Sequence, residues 1–304
     1  MTSVSVTGFC KSYNSIKALD DVSFNVGKGE LFGIIGPDGA GKTTLFRLLT
    51  TLLLPDSGSA MVEGIDVVKD YSAIRRIIGY MPGKFSLYQD LTVEENLNFF
   101  ATVFNTTVKE NYYLIEDIYK HIEPFRKRRA GKLSGGMKQK LALSCALIHK
   151  PEVLFLDEPT TGVDPVSRKE FWEMLLKLRK QGITIIVSTP YMDEAKLCDR
   201  IALMQNGKFL RIDTPDNITA SYPYRLWSVM CTDMHGLLAD LRLCGHVRSS
   251  FSFGACYHVT MYAEVSADML REYLVKKGYT DVQIIEISPT VEDCFMLMLR
   301  EEQV

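Results

Sequence analysis

The stretch GPDGAGKTT, residues 36–44, constrains this chain more than any other segment. It follows the apolar run LFGIIG and precedes the run LFRLLTTLL, so a glycine-rich loop lies between an expected strand and an expected helix. The pattern G-x-x-x-x-G-K-[ST] in that context is typical of a phosphate-binding loop. In an open α/β sheet, ligands bind where the carboxyl ends of the parallel strands meet. The sequence therefore predicts an α/β fold with an anion site at that edge.

The atoms of this loop indicate how a phosphate would be held. Glycines let the backbone N–H groups turn inward around the β and γ phosphates, and the helix N-terminus adds its positive end. Lys42 would neutralise phosphate charge, and the hydroxyl of Thr43 can ligate Mg²⁺. A glycine-rich turn could imitate the pattern, but the strand and helix on its two sides favour phosphate binding. The other candidate binding residues of the loop are Gly36, Gly39, Ala40, Gly41 and Thr44.

A second motif, VLFLDE at residues 153–158, supplies carboxylates to the same edge. Four apolar residues predict a buried strand, and Asp157 is the first polar residue to emerge from it. Asp157 can hold Mg²⁺ through water, and Glu158 can orient and activate an attacking water. An isolated Asp-Glu pair after a strand is more often a solvated turn, but its combination with a phosphate loop favours the catalytic interpretation.

Strand and helix patterns alternate around these motifs. The apolar runs 153–157 and 184–189 are separated by the helical stretch 167–182, which predicts a parallel sheet covered by helices. Asp164 is placed as the N-cap of that helix and Gly182 as its terminator.

Residues 84 to about 148 have a mostly helical pattern and are expected to form a helical insertion into the α/β core. Thr92 and Glu95 have the spacing of a capping box at the start of one of these helices.

The end of the first domain is marked by a hairpin and a turn-rich break. IALMQNGKFLRI predicts two strands around Asn206-Gly207, and DTPDNITASYPY follows it. We therefore expect two domains, residues 1–221 and 222–304. The second domain has the strand and helix order βαββαβ, which predicts a small α+β domain of ferredoxin-like type.

The segment LSGGMKQKLALSCAL, residues 133–147, contains a third motif. Ser134, Gly135 and Gly136 place a hydroxyl and bare amides at a helix N-terminus, a second candidate anion site that alone could be only an N-cap. This LSGGM, the phosphate loop and LDEPTTGVDP occur in a fixed order. Together they resemble the ATP-binding-cassette (ABC) ATPases over about residues 4–218.

The resemblance implies a P-loop NTPase core with an antiparallel β subdomain and a helical subdomain, and ATP and Mg²⁺ as cofactors. In that family two ATPase domains pack head to tail, and each ATP lies between the phosphate loop of one and the signature helix of the other. By this resemblance Ser134, Gly135 and Gly136 would contact the γ phosphate of ATP held by a partner. Tyr13 matches the aromatic residue that stacks on adenine.

Two positions depart from the family pattern. Gly83 stands where the family has a glutamine that senses Mg²⁺ or water, and Pro190 stands where it has a histidine that bonds the γ phosphate. Loss of such a polar group costs on the order of a hundredfold in the chemical step. We therefore expect slow hydrolysis at this chain's own loop and a heterodimer in which its signature helix completes the partner's site. The alternative is a working homodimer in which Gln89 or Lys84 compensates.

The resemblance predicts the ATP-binding and ATP-hydrolysing subunit of a bacterial ABC exporter, peripheral on the cytoplasmic face of the cell membrane. Its partners would be a second ATPase subunit and separately encoded permease subunits that dock on the helical insertion. The ending SPTVEDCFMLML looks like that of ATPase subunits from multidrug, polysaccharide or lipid exporters. One alternative is a soluble ABC ATPase of translation or DNA repair, which usually carries two cassettes, coiled coils or zinc cysteines. Another is a catalytically silent regulatory subunit.

Composition is consistent with this interpretation. The formal net charge of -2 and the pI of about 6.2 give no electrostatic case for a nucleic-acid partner. No apolar run approaches the about 18 residues that a membrane span needs, so membrane association is expected through a partner. Scattered cysteines without a CxxC pair predict reduced thiols in a cytoplasmic protein and no metal site of cysteines. The cysteines are Cys10, Cys145, Cys198, Cys231, Cys244, Cys256 and Cys294.

Overall fold

The computed structural model describes residues 1–301, which divide into two compact units. The first unit is Met1–Pro215, and the second begins at Asp216. The boundary expected from the sequence, between residues 221 and 222, lies further along the chain, after a short helix that starts at Pro215.

The first unit contains two sheets and six α-helices among its described residues. Its strands are β1 (Thr2–Tyr13), β2 (Ile16–Gly27), β3 (Leu31–Ile35), β4 (Ser57–Val62), β5 (Ile65–Asp66), β6 (Ile78–Met81), β7 (Val153–Asp157), β8 (Thr184–Thr189), β9 (Arg200–Gln205) and β10 (Lys208–Asp213). Its α-helices are α1 (Lys42–Leu49), α2 (Tyr71–Ile77), α3 (Val93–Val103), α4 (Val108–Tyr119), α5 (Gly135–Leu147) and α6 (Pro165–Lys180), with short 3-10 helices at Glu123–Phe125, Ala130–Lys132 and Met192–Leu197.

The larger sheet has the strand order β10-β9-β3-β8-β7-β6. All of its neighbouring strands are parallel except β10, which pairs antiparallel with β9. Every residue of β3, β7 and β8 is buried, as expected of parallel strands with both faces covered. The antiparallel sheet has the order β2-β1-β4-β5. Both the parallel sheet and the antiparallel β subdomain match the predicted fold class.

One apolar core joins the antiparallel sheet to the parallel sheet and α1. Phe9, Phe32, Phe46 and Phe155 are all fully buried in it. Phe46 of α1 meets Phe155 of β7 edge to face, with ring centroids 6.0 Å apart. The helix that follows the phosphate loop is thereby packed against the strand that carries Asp157.

The predicted starts of two helices are confirmed by their N-caps. Thr92 and Glu95 form both hydrogen bonds of a capping box at α3. Asp164 accepts hydrogen bonds from the amides of Val166 and Ser167 at the start of α6. The second capping box, at Thr107 before α4, is not among the sequence predictions.

The predicted hairpin of β9 and β10 is also confirmed. Asn206 and Gly207 both have positive φ, 47° and 78°, as a two-residue type I′ turn requires. The amide of Gly207 donates to the carbonyl of Ala40 in the phosphate loop at 2.9 Å, and its own carbonyl accepts from the amide of Asp20 at 2.9 Å. A Cβ atom at Gly207 would lie 2.8 Å from the carbonyl oxygen of Ala18, so close packing also excludes a side chain there.

The second unit has the predicted order βαββαβ. Its sheet order, β12-β13-β11-β14, is antiparallel throughout and is that of a ferredoxin-like domain. Its elements are β11 (Leu226–Met230), α8 (Leu237–Leu243), β12 (Val247–Phe253), β13 (Cys256–Met261), α9 (Ala267–Lys276), β14 (Gln283–Ile287) and α10 (Val291–Glu301), preceded by α7 (Pro215–Ala220).

Candidate nucleotide-binding site

The phosphate loop lies at the carboxyl edge of the parallel sheet, next to a cavity of about 350 Å³. Seven predicted site residues line this cavity. Five further lining residues were not indicated by the sequence as part of the site: Ile16, Lys17, Ala18, Asn206 and Gly207. The seven are Tyr13, Gly39, Gly41, Lys42, Thr43, Thr44 and Glu158.

Two predicted loop residues have a supporting position instead. A Cβ atom at Gly36 would lie 2.2 Å from the carbonyl oxygen of Met204 in β9, so only glycine fits there. Ala40 is buried, and its carbonyl accepts the hydrogen bond from the hairpin turn at Gly207. These two residues fix the loop against β9 and the hairpin turn that follows it.

Lys42 is buried at the centre of the loop, with only 3% of its surface exposed. Its Nζ atom donates to the carbonyls of Gly36 and Pro37 at 2.8 and 2.9 Å and forms an ion pair with Oε1 of Glu158 at 3.0 Å. An ammonium group has three donors, so this geometry uses all of them.

Asp157 is held by hydroxyl groups on its two sides. Thr43 Oγ1 donates to Oδ2 at 2.9 Å, and Ser188 Oγ donates to Oδ1 at 2.7 Å. Because Asp157 is paired with Ser188 in the register of β7 and β8, this contact follows from the parallel pairing. Burial and the nearby Asp157 carboxylate raise the pKa of Tyr80 to about 12, so this phenol stays neutral beside the site.

Glu158 has an unusual backbone conformation. Its φ of 48° lies in the left-handed region, which costs a residue with a side chain about 1 kcal/mol or more. Two hydrogen bonds hold this conformation. The amide of Glu158 donates to the carbonyl oxygen of Ser188 at 3.1 Å and to its hydroxyl oxygen at 2.9 Å. Ser188 therefore orients both acidic residues, a role that the sequence analysis missed. A serine between buried β-branched residues at the end of a strand is the signal that could have indicated it.

Gly83 and Pro190 lie at the ends of two strands that flank these residues. A Cβ atom at Gly83 would be 3.1 Å from the carbonyl oxygen of Asp157 and 3.8 Å from its Oδ2 atom. Pro190 directly follows Thr189, whose carbonyl accepts from the amide of Gly36 at 3.2 Å. Neither residue offers a polar side-chain atom to the site.

A buried carboxylate, that of Glu194, bonds the residue that precedes Pro190. It accepts hydrogen bonds from the hydroxyls of Thr189 at 2.5 Å and Thr160 at 2.8 Å. The Nε atom of Arg168 lies 3.4 Å from the same carboxylate, which is 2% exposed. This network joins the end of β8 to the segment after Glu158, and no sequence pattern indicated it.

The residues of the LSGGM motif are at the start of α5. Ser134 is the N-cap and accepts from the amide of Met137 at 3.4 Å, and Ser134 and Gly135 are exposed. Gly136 is buried, and a Cβ atom there would lie 2.5 Å from Oγ of Ser167 in α6. Within residues 1–301 none of the three lines the nucleotide cavity.

The oxygen atoms of Thr43 and Asp157 form a donor set that fits Mg²⁺, which is held in nucleotide sites by few protein oxygens together with water and phosphate. Across the described residues no cluster of three or more His, Cys, Asp or Glu side chains could hold a metal ion. No helix in residues 1–301 has the length and apolar character needed to span a membrane.

The chain is similar to a known protein family and to several curated proteins. The family model described as ABC transporter matches residues 19–161. The chain is 41% identical over 277 residues to the probable multidrug ABC transporter ATP-binding protein YbhF of Escherichia coli K12, an alignment that covers 89% of this chain. It covers 47% of YbhF, so the chain spans about half the length of that relative. It is 38% identical to the doxorubicin resistance ATP-binding protein DrrA of Mycobacterium tuberculosis H37Rv, over 97% of this chain and 93% of DrrA.

Solved structures show the same fold for about seven tenths of the chain. CbiO1 of Clostridium perfringens, part of the ABC transporter complex cbiONQ, superposes with a TM-score of 0.65 and 28% identity over 72% of this chain and 91% of that protein. The ATP-binding cassette MJ0796, in a dimeric post-hydrolysis structure bound to ADP and Pi, has a TM-score of 0.63 and 27% identity over 69% of this chain and 98% of that protein.

Proposed function

The chain belongs to the ABC transporter family of ATP-binding proteins, and we propose that it binds and hydrolyses ATP as the energy-supplying subunit of an exporter. One observation carries this proposal: at one edge of the parallel sheet an ion pair joins Lys42 to Glu158, and a hydrogen bond joins Thr43 to Asp157. The relatives YbhF and DrrA, named for multidrug transport and doxorubicin resistance, support export as the direction of transport.

ATP would lie with its phosphates along the backbone amides of residues 39–44 and its base toward Tyr13. Tyr13 is 42% exposed and lines the cavity, where its ring would stack on adenine. Lys42 would contact the terminal phosphates and neutralise charge there.

Mg²⁺ would be held by Thr43 and Asp157, and when bound it neutralises charge on the phosphates. The chain's own contribution is orientation. Ser188 holds one oxygen of Asp157, which leaves the oxygen next to Thr43 directed toward the loop.

Glu158 would accept the proton of the water that attacks the γ phosphate. Proton transfer to a positioned carboxylate requires hydrogen-bond reach to that water. Glu158 lines the cavity and is fixed through its amide by Ser188, which places its carboxylate beside Lys42. The water oxygen forms the new bond to phosphorus, and ADP leaves with the electrons of the broken bond.

The chemical step at this site is proposed to be slow because two positions lack polar groups. The side chain of Pro190 supplies no donor to the γ phosphate, and Gly83 has no side-chain amide to place near Asp157. The neighbouring hydroxyls of Ser188 and Thr189 already bond Asp157 and Glu194. Gln89 is one of the residues that could compensate, but its side chain lies next to Gly131. A Cβ atom added at Gly131 would be 3.6 Å from Oε1 of Gln89.

The exposed start of α5 supports a role in completing a site on a second ATPase subunit. Ser134 and Gly135 are solvent-accessible and do not line this chain's own cavity within the described part. The dimer seen for MJ0796 is a precedent for pairing of cassettes. We propose a heterodimer in which this chain contributes one weak ATP site and one intact signature helix.

A membrane permease subunit is the proposed second partner, which would place the chain at the cytoplasmic face of the membrane. An apolar cavity of about 270 Å³ lies beside the end of β6, between Tyr80, Phe100 and His149. Tyr88 and Phe99 are chain neighbours of residues that line this cavity, and their ring centroids are 4.8 Å apart. They are 51% and 38% exposed. This aromatic surface fits an apolar segment of a membrane subunit.

ATP turnover of the purified chain, alone and mixed with a candidate partner ATPase, tests the proposal. We expect nucleotide binding by the chain alone, weak hydrolysis, and an increase on mixing that depends on Ser134. Fast hydrolysis by the chain alone would contradict the heterodimer, and absence of ATP binding would contradict the function itself.

A further inference from the structure

The second unit contains a cavity of about 340 Å³ at the free edge of its sheet. Strand β12 is the outer strand, so its outward backbone groups have no neighbouring strand in residues 1–301. The cavity is lined by Arg242 of α8, by Arg248, Ser249 and Ser250 of β12, and by Arg300 of α10.

The charges around this cavity are all of one sign. Three arginine residues line it and no acidic residue does. In residues 1–301 none of the three arginines forms an ion pair, whereas Arg225 and Arg271 of the same unit pair with Glu286 and Asp268. Like charges brought together without a counterion repel one another, so the arrangement favours an anion between them.

Two of these arginines are held in place by other contacts. The guanidinium of Arg248 lies over the ring of Tyr224, 4.2 Å from its centroid. A guanidinium nitrogen of Arg300 donates to the carbonyl of Arg248. Because both side chains are already ordered, binding an anion would cost little further side-chain entropy.

A buried hydroxyl gives an independent indication. Ser250 lines the cavity and is 5% exposed, and its Oγ atom has no hydrogen-bond partner among the described residues. Buried polar atoms are nearly always satisfied, and those that are not call for a partner such as water or a ligand.

We propose that this arginine-lined cavity binds a phosphate group. Planar guanidinium groups recognise phosphate oxygens through paired hydrogen bonds, and a serine hydroxyl adds a neutral donor. The volume is at the small end of ligand pockets, about 300 to 1,000 Å³, which suits a phosphate with a short organic body. The phosphate is carried either by a free small molecule or by the head group of a lipid, and both present the same oxygens.

Calorimetric titration of the full chain with inorganic pyrophosphate tests this proposal. We expect two binding events, one at the phosphate loop and one at the arginine cavity. Arg248→Gln and Arg300→Gln should each weaken one event about tenfold or more. Arg271→Gln, which removes the same charge from the same unit outside the cavity, should leave both events unchanged. Lys42→Ala should remove the binding event at the phosphate loop and leave the one at the arginine cavity. This variant therefore distinguishes failure of the loop from failure of the arginine cavity.

A second arm measures co-sedimentation with phosphatidylcholine vesicles, with and without phosphatidic acid. Arginine-dependent pyrophosphate binding supports a free ligand, and arginine-dependent retention on the acidic vesicles alone supports a lipid head group. Arg300→Lys keeps the charge but loses the planar fork, and it should weaken the same event. The proposal is overturned if neither probe responds to Arg248 and Arg300, or if Arg271→Gln has an equal effect. Thermal melting checks that each variant is folded.

Discussion

The Nζ atom of Lys42 lies 3.0 Å from Oε1 of Glu158, so the two opposite charges of the candidate site contact each other directly. The other two donors of Lys42 are used by the carbonyls of Gly36 and Pro37. A phosphate that takes a hydrogen bond from Lys42 must therefore displace at least one of three oxygen atoms. If Glu158 is the partner displaced, phosphate binding frees the carboxylate that would act on water.

Replacing Glu158 by glutamine should separate binding from hydrolysis. The amide keeps the shape of the side chain but cannot accept the proton of a water, so turnover should fall about a hundredfold or more while ATP still binds. Phosphate release and binding of a fluorescent ATP analogue measure the two effects. Glu152→Gln, at the other end of the strand that leads to Asp157, is the matched control. Unchanged turnover in Glu158→Gln would remove this residue from the mechanism.

Ser188→Ala should destabilise the first unit and weaken its use of Mg²⁺. The change leaves an oxygen of Asp157 without its buried donor and the amide of Glu158 with one acceptor fewer. The expected loss is about 1 to 3 kcal/mol of unfolding free energy. Denaturant unfolding and the Mg²⁺ concentration for half-maximal turnover are the measurements. Ser144→Ala, which removes a hydroxyl that donates to the carbonyl of Lys140 in its own helix, should cost less; equal losses in both variants would argue against a special role for Ser188.

Pro190→His should raise ATP turnover about tenfold or more, because an imidazole at this strand end can bond the γ phosphate. Pro190→Ala removes the ring without adding a polar group, and it should leave turnover low. Equal gains in the two variants would show that backbone stiffness, and not the missing imidazole, limits the rate. The equivalent change at Gly83 is a poorer test, because its Cβ would press on the carbonyl of Asp157 at 3.1 Å.

His149 should make the stability of the first unit depend on pH. Burial lowers the pKa of His149, and the carbonyl of Ile78, 2.8 Å from Nε2, only partly opposes this shift. Because the folded pKa is below the unfolded value of about 6.5, the unfolded chain binds more protons at low pH, and stability falls as the pH drops below about 6.5. Thermal melting at several pH values should show a smaller fall in His149→Gln. The exposed His121→Gln should behave as the unchanged chain, and a pH response identical in all three would contradict this assignment.

Local sequence signals located most of the fold because they depend on neighbours in the chain. The caps at Thr92 and Asp164 and the turn at Asn206-Gly207 are each specified within a few residues. The contacts that the sequence did not indicate join distant segments. Ser188 meets Asp157 only through the register of two parallel strands, and Thr160 meets Glu194 across a buried network. Pairings of this kind depend on sheet order, which periodicity alone does not determine.

The tight turn at Gly207 has a consequence for protein engineering. By sequence it is the clearest short surface loop of the first unit, and such loops are usually chosen for inserting a tag or a fluorescent reporter. Its amide bonds Ala40 of the phosphate loop and its carbonyl bonds the amide of Asp20, so an insertion would pull on the nucleotide cavity from two sides. A reporter placed there would disturb the property it was meant to record.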